Sequence, residues 1–379
     1  MNVTIREVKT RKDLKTFIFL PEKIHAGHAT WVPPIYMDEW SYFRAEKNDH
    51  FSYCDTIMLL AFREKKPVGR IMGIINHRYN ELRNQKTARF GYLETGEDEE
   101  LVRKLLRSVE EWAREKGMTR LIGPYGFSDQ DPEGFLIEGF EERATIVTYH
   151  NYPWMPEMLE KMGYKKDVDY YVYKLEVPTE IPEFFHRIRD RVVRRGNFEL
   201  VEFKKRREIK KWIKPFLHLM NEVYTESNIY GYSPLKEKEM EELARRYYSI
   251  LDARFIKGVL KDGQVVAFIV GIPDMSIGIQ KARGRLFPFG FIKILRSAKK
   301  TKQLDLLLGG IKKEYRRMGL DALMGVSVLM SAREAGFKFM DTHHELEENT
   351  MVRATMERMG GKVYKKFRVY QKVILLRPS

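Results

Sequence analysis

In the last third of the chain, hydrophobic and polar positions alternate between two periods. Leu304 to Ile311 is an almost continuous apolar run of strand length. It gives way to a short basic turn, Lys312 to Met318, after which a helix starts at Gly319. The spacing predicts an amphipathic helix over Leu320 to Ala335 and a strand over Phe337 to Leu346. Glu348-Asn349 then opens another helix, which stops at Met359-Gly360-Gly361. Upstream, Val265 to Gly271 reads as a hairpin strand. Gly309-Gly310, at the end of the apolar run, predicts a break where neighbouring strands splay and an N–H is freed.

The same order recurs earlier in the chain. Ala113-Arg-Glu-Lys-Gly-Met118 echoes Ala332-Arg-Glu-Ala-Gly-Phe337, and Met158-Leu-Glu-Lys-Met-Gly163 echoes Thr355-Met-Glu-Arg-Met-Gly360. Pro67 to Ile74 lines up with Gln264 to Gly271. Three short matches in one order predict a duplication, with domains over 1–177 and 178–379 joined in a basic stretch after Val177. The halves differ after the strand that precedes the long helix. Thr95-Gly-Glu-Asp-Glu-Glu100 is acidic and suits a helix N-terminus, but repels phosphate. Lys312 to Met318 is basic. Arg316 and Arg317, with the N–H groups of Arg317, Met318, Gly319 and Leu320, form a cradle for phosphate or pyrophosphate.

Charge and composition narrow the class. The 379 residues carry 68 Lys+Arg against 53 Asp+Glu, a net charge of +15 that calls for an acidic partner: nucleic acid, anionic membrane or a phosphate-bearing cofactor. Much of the excess lies in His186 to Lys214, read as a solvated face, and in Arg296 to Lys302. The single Cys54 rules out a disulfide framework within the chain, and no window reaches the apolar length of a membrane span. A charged N-terminus without an apolar core does not resemble a signal peptide, which predicts a cytoplasmic protein.

Arg316-x-x-Gly319-x-Asp321-Ala322, followed by helix, strand and a helix opened by Asn349, resembles the coenzyme A pyrophosphate loop of the GNAT N-acetyltransferase superfamily. Trp31-Val-Pro-Pro34, Val68-Gly-Arg-Ile71, Gly123-Pro124, Gly134 to Phe140, Tyr149-His-Asn-Tyr-Pro153 and Gly271-Ile-Pro-Asp274 resemble a bacterial family of tandem GNAT proteins. Some members of that family are linked to ceramide-forming N-acylation. The resemblance runs from about Leu20 to Lys372. It implies an α/β fold of two tandem GNAT-like domains, each a mixed, mostly antiparallel sheet flanked by helices. It also implies an N-acyltransferase using acetyl-CoA or a longer acyl-CoA and an amine substrate. Two positions depart from the family pattern. Asp321 stands where the family has Gly or Ala, and Met356 where many members carry the tyrosine that protonates the thiolate, leaving Tyr364, Tyr370 or water for that step.

Such a reaction needs a proton acceptor, because an amine with a pKa near ~10 arrives mostly as ammonium. It also needs backbone N–H groups for the oxyanion, assigned here to Gly309, Gly310 and Ile311. Strand alternation over Phe337 to Leu346 would put Asp341, His343 and Glu345 on one face. Glu345 and His343 are therefore the catalytic candidates, with Asp274 a third at the end of the hairpin strand. Adjacent histidines His343 and His344 point to opposite faces, so no metal is assigned. Asn221 and Tyr224, on an early helix of the second half, are substrate candidates. The inserted Gly284 to Lys302 combines aromatics with a basic tail and suits a lid, an acyl-chain enclosure or a peripheral position on the anionic inner membrane face. Two rival readings are a Fem-type aminoacyl transferase, in which tRNA is the donor, and a non-catalytic basic binding protein. Nucleic acid is set aside as partner.

Overall fold

Alternation of buried side chains builds the first sheet in the computed structural model, which describes residues 3–374. Strands β1 (Val3–Glu7), β2 (Cys54–Arg63), β3 (Lys66–Asn76) and β4 (Thr87–Thr95) form an antiparallel meander. On β3, Ile71 and Ile75 join one core beneath the helix Glu99–Glu115, while Met72 and Ile74 join a second core with the helix Arg11–Ile24. Gly73 is needed for close approach: a Cβ there would lie 2.9 Å from Trp112. After the helix Glu99–Glu115 the chain returns as β5 (Arg120–Gly123), parallel to β4. Further on come β6 (Phe135–Glu138), the helix Trp154–Lys161 and β7 (Lys165–Glu176).

By contact, the chain groups into units that are not continuous in sequence. The first comprises Met1–Tyr170, Met275–Arg296 and Lys365–Ser379, and the second Tyr171–Asp274 and Ser297–Tyr364. The chain's last strand, Lys362–Val373, completes the first unit by pairing antiparallel with β5, from Tyr370 opposite Gly123 to Val373 opposite Arg120, and with β6. The sequence boundary at Val177 thus differs from the grouping by contact.

In the second unit the sheet runs β8 (Glu199–Glu202), β9 (Ile256–Lys261), β10 (Gln264–Pro273), β11 (Gln303–Ile311), β12 (Phe339–Asp341) and then β7, with β13 (Glu345–Leu346) also on β7. The long final strand is β14 (Lys362–Val373). Helices Arg206–Glu226 and Glu237–Tyr248 cover one core, and the helix Leu320–Glu334 runs over the others. That helix is not amphipathic as its spacing suggested. Leu320, Leu323, Met324, Val326, Val328 and Leu329 are all buried, because the helix Glu183–Gly196 covers its outer side through Val192 and Val193. Part of the basic run His186 to Lys214 is thus a packed layer of the second unit.

The three repeats occupy equivalent places. They are the hairpin strands β3 and β10, the ends of helices Glu99–Glu115 and Leu320–Glu334, and the ends of helices Trp154–Lys161 and Thr350–Arg358. Each unit also makes three parallel pairs between its fourth and fifth strands and then stops. These are Thr87 to Arg89 with Arg120 to Ile122, and Gln303 to Asp305 with Phe339 to Asp341.

Candidate active site

The second unit opens where β11 and β12 part after Asp305 and Asp341. Beyond that point, alternate N–H groups of β11 face the side that β12 has left. The break is not at Gly309-Gly310, as their sequence suggested. Both glycines sit in register, Gly309 opposite Ile269 and Gly310 opposite Phe268, and Ile311 lies opposite Ala267. The irregularity comes earlier: Val270 faces Leu308 but Gly271 faces Leu306, so Leu307 is the extra residue of a β-bulge. A bulge residue left outside the ladder carries the unpaired backbone that an oxyanion site requires.

The basic turn stands at the far end of β11. Arg317 has φ +64° and Gly319 φ +84°, so the chain doubles back before the helix begins at Leu320. Gly319 carries no side-chain cap. Among the described residues, no acceptor takes the N–H groups of Arg317 to Ala322. The positive end of the helix dipole is therefore open. The two arginines differ. Arg316 is folded back, its Nε donating to the Ile311 carbonyl (3.2 Å) and its Nη2 to the Ser227 hydroxyl (2.7 Å). Arg317 is exposed and has no acidic partner among the described residues. Met318 is exposed beside it, and Leu320 is buried. Asp321, the residue at odds with phosphate binding, accepts a hydrogen bond from Thr355 at 3.0 Å. Asn349 caps the helix Thr350–Arg358 by position, and its side chain makes no capping bond.

The strand predicted over Phe337 to Leu346 is interrupted. β12 ends at Asp341, His343 takes φ +57°, and β13 starts at Glu345. One left-handed residue destroys the alternation that would put Asp341, His343 and Glu345 on one face. Asp341 is fully buried. Its carboxylate accepts the backbone N–H of His343 at 2.6 Å and the Tyr364 hydroxyl. Glu345 differs from its neighbours: its half-buried carboxyl has no hydrogen-bond or ionic partner among the described residues, and desolvation alone pushes it up to about 8. Asp274 is buried level with Gln303, its N–H donating to the Gln303 carbonyl at 3.0 Å.

Of the other sequence candidates, Tyr224 reaches β11, its hydroxyl donating to the Gly309 carbonyl at 3.3 Å. Asn221 commits its amide to the fold. Its Nδ2 donates to the Leu235 carbonyl, and its Oδ1 accepts from the Leu235 N–H (2.7 Å) and the Tyr232 hydroxyl. Met356 packs at the edge of a hydrophobic core. Tyr370 belongs to the first unit, where its hydroxyl donates to Glu160 at 3.0 Å. Among the described residues no group of three His, Cys, Asp or Glu side chains is placed to hold a metal.

The corresponding place in the first unit is filled. β4 bulges where Arg70 faces Glu94 but Met72 faces Gly91, with Tyr92 at φ +55°. The Tyr92 N–H donates to the Tyr149 hydroxyl at 3.0 Å. The following helix is capped by Asp98, whose carboxylate accepts the Leu101 N–H at 3.0 Å.

A cluster that the sequence did not announce lies in the same unit. His25 Nε2 meets Glu94 Oε2 at 2.8 Å, and its Nδ1 meets His28 Nδ1 at 2.9 Å. Trp31 and Tyr152 stack on the His25 ring, and His150 sets its edge against His28. Trp31-Val-Pro-Pro34 and Tyr149-His-Asn-Tyr-Pro153 were legible separately, but nothing local showed that they meet. Burial holds His28 and His150 down to about 4. Burial would raise Glu94, but the His25 ring beside it brings its carboxyl below the usual value.

A depressed histidine stabilises the fold above its unfolded pKa of about 6.5, and that contribution is lost as pH falls toward 4. Glu94 acts in the same direction at lower pH. The first unit should therefore lose stability between pH 6.5 and 4, by up to roughly 3 kcal/mol for the well-buried His150 alone. Four of the five tryptophans (Trp31, Trp40, Trp112 and Trp154) lie in that unit, so urea unfolding followed by tryptophan emission reads it directly. A midpoint that does not change over this range would contradict the assignment.

Against known proteins, no family model matches the chain. Two curated proteins align over nearly its whole length. The bacterial ceramide synthase of Caulobacter vibrioides is 26% identical over 386 residues, covering 98% of each chain. Protein YghO of Escherichia coli is 24% identical over 388 residues, covering 98% of this chain and 95% of its own. Among solved structures, a tandem GNAT protein from the clavulanic acid biosynthesis pathway superposes with TM-score 0.56 at 12% identity, covering all of both chains. A GCN5-related N-acetyltransferase from Sphaerobacter thermophilus gives TM-score 0.52 at 11% identity, covering 100% of this chain and 96% of its own. Two bulged fourth strands, each parting from its parallel neighbour after three pairs, agree with those likenesses: this chain has the fold of a tandem GNAT protein.

Proposed function

We propose that the protein is an acyl-CoA-dependent N-acyltransferase whose second unit holds the thioester and acylates an amine of lipid class. The observation that carries this reading is the open helix N-terminus at Leu320, with the free Arg317 beside it and the parted strands β11 and β12 leading away from it. Pyrophosphate oxygens are met by the N–H groups of Met318, Gly319 and Leu320 and by Arg317, with Arg316 fixing the turn. The pantetheine and acyl group then lie along the free edge of β11, where the bulge at Leu307 offers an N–H to the thioester oxygen. Glu345 takes a proton from the substrate ammonium, the free amine attacks the thioester carbonyl, and the C–S bond breaks to release the CoA thiolate, which takes a proton from water. The full-length likeness to a ceramide synthase supports a lipid-class amine.

Acyl-CoA should raise the melting temperature of the purified protein. Ligand at a hundredfold its dissociation constant adds about 2.7 kcal/mol. Arg317→Ala should abolish more of that shift than Arg316→Ala, since Arg316 is already engaged with Ile311 and Ser227. A larger shift with palmitoyl-CoA than with acetyl-CoA supports a long-chain donor. No shift with CoA, acetyl-CoA or palmitoyl-CoA would end the acyl-CoA reading.

A further inference from the structure

We infer that the segment Phe287–Lys300 docks the protein on an anionic lipid surface. Phe287 and Phe289 are 73% and 67% exposed, and Phe291 and Leu295, one helical turn apart, are 43% and 51% exposed. Four large apolar side chains bared within nine residues form a patch, where scattered single exposures are ordinary. The patch is held from below. Arg285 makes two bonds to the Glu22 carboxylate (2.9 and 2.8 Å), Gln280 donates to the carbonyls of Ala29 and Trp31, and the Tyr36 N–H donates to the Gly284 carbonyl. Ile279, Ala282 and Ile294 are buried. The exposed aromatics therefore project from a fixed base.

Charge identifies the occupant. From residue 275 to residue 304 the chain has no acidic side chain and eight lysines and arginines. Arg285 is neutralised by Glu22, while Arg296, Lys299 and Lys300 have no acidic partner among the described residues. On the helix Gly290–Lys300, Phe291, Leu295 and Lys299 follow one another at four-residue spacing, so apolar contact passes into cationic contact along one stripe. Aromatic rings at the acyl boundary with lysines at the headgroups is the arrangement of a helix lying in a bilayer interface. Among the described residues no helix is long and apolar enough to cross a membrane, so contact through this patch is peripheral.

The inference gives the lipid-class acceptor proposed above a place to be met, but its test does not depend on that reading, because the assay contains no acyl-CoA. The full-length protein is sedimented with vesicles of phosphatidylcholine alone and of phosphatidylcholine mixed with phosphatidylglycerol. It should pellet with the mixed vesicles only, and less so as salt rises. Phe287→Ser with Phe289→Ser should lower the partition coefficient about tenfold or more. Lys299→Glu with Lys300→Glu should abolish binding. Both double variants should keep the parent melting temperature, because the replaced side chains are exposed. Three results would overturn the inference: no pelleting with anionic vesicles, equal pelleting of parent and variants, or a self-associated protein that the Phe287/Phe289 variant turns monomeric. The last would assign the patch to a second copy of the chain.

Discussion

Replacing Glu345 with Gln should lower the rate of acyl transfer by roughly two to four orders of magnitude and leave acyl-CoA binding intact. The side chain keeps its size and loses only its ability to take a proton. With the carboxyl pushed up to about 8 by burial, the parent rate should climb as pH rises through that value and then level off. The variant should keep only the inflection of the amine. Stability moves the other way. A carboxyl raised above its unfolded value favours the fold fully below about pH 4.5, and that advantage is lost as pH rises toward 8. The neutral Gln escapes this loss, so at pH 8 the variant should be more stable than the parent, on the order of 1–2 kcal/mol once partial exposure is allowed for. A slower and more stable enzyme is the signature of a strained catalytic group. Full activity in the Gln variant would remove Glu345 from the mechanism.

A chain ended after Tyr364 should fail to fold its first unit. The lost segment carries Phe367, Val369, Tyr370 and Ile374, all 2% exposed or less. It also carries Arg368, bound twice to Asp169 (2.8 and 2.9 Å), Lys372 on Glu110 (2.9 Å) and the strand partner of β5. Truncating even one such apolar side chain costs about 2–5 kcal/mol. Three or four together match the whole stability of a domain, about 5–15 kcal/mol. Tryptophan emission should shift to that of solvent-exposed indole, since only Trp212 lies outside the first unit. Native emission and an unchanged melting temperature would show that the first unit does not need this strand. Tyr370→Ala offers a milder form of the same test, with a loss of about 3–5 kcal/mol expected.

What the sequence showed and what it hid separate by range. The duplication was legible because short local patterns, a hairpin strand and two helix ends, recur at equivalent places. The basic turn before Leu320 was legible because charge and glycine mark it. Three features were hidden because each is decided by a distant partner or by a single backbone angle. The break in β11 lies at Leu307, which carries no compositional mark, while the conspicuous Gly309-Gly310 simply continues the ladder. His343 in the left-handed region cuts one apparent strand into two. The helix Leu320–Glu334 lost its polar face to a neighbour, the helix Glu183–Gly196, that its own spacing does not reveal. Nor does anything in Lys362–Val373 say that its far end pairs with β5, more than two hundred residues earlier.

The Tyr149 hydroxyl on the Tyr92 N–H has an evolutionary meaning. A site that receives a substrate must keep some hydrogen-bonding groups unsatisfied in the free protein, and each one lowers the stability of the fold. A single-copy enzyme cannot escape that conflict. A duplicated one can divide it, and at matching positions the two copies of this chain differ in how far their backbone groups are satisfied. One bulge is closed by a tyrosine and followed by a helix capped with aspartate, while the other leads to an uncapped helix. On the function proposed above, selection can harden the first copy and leave the costlier open helix end to the second.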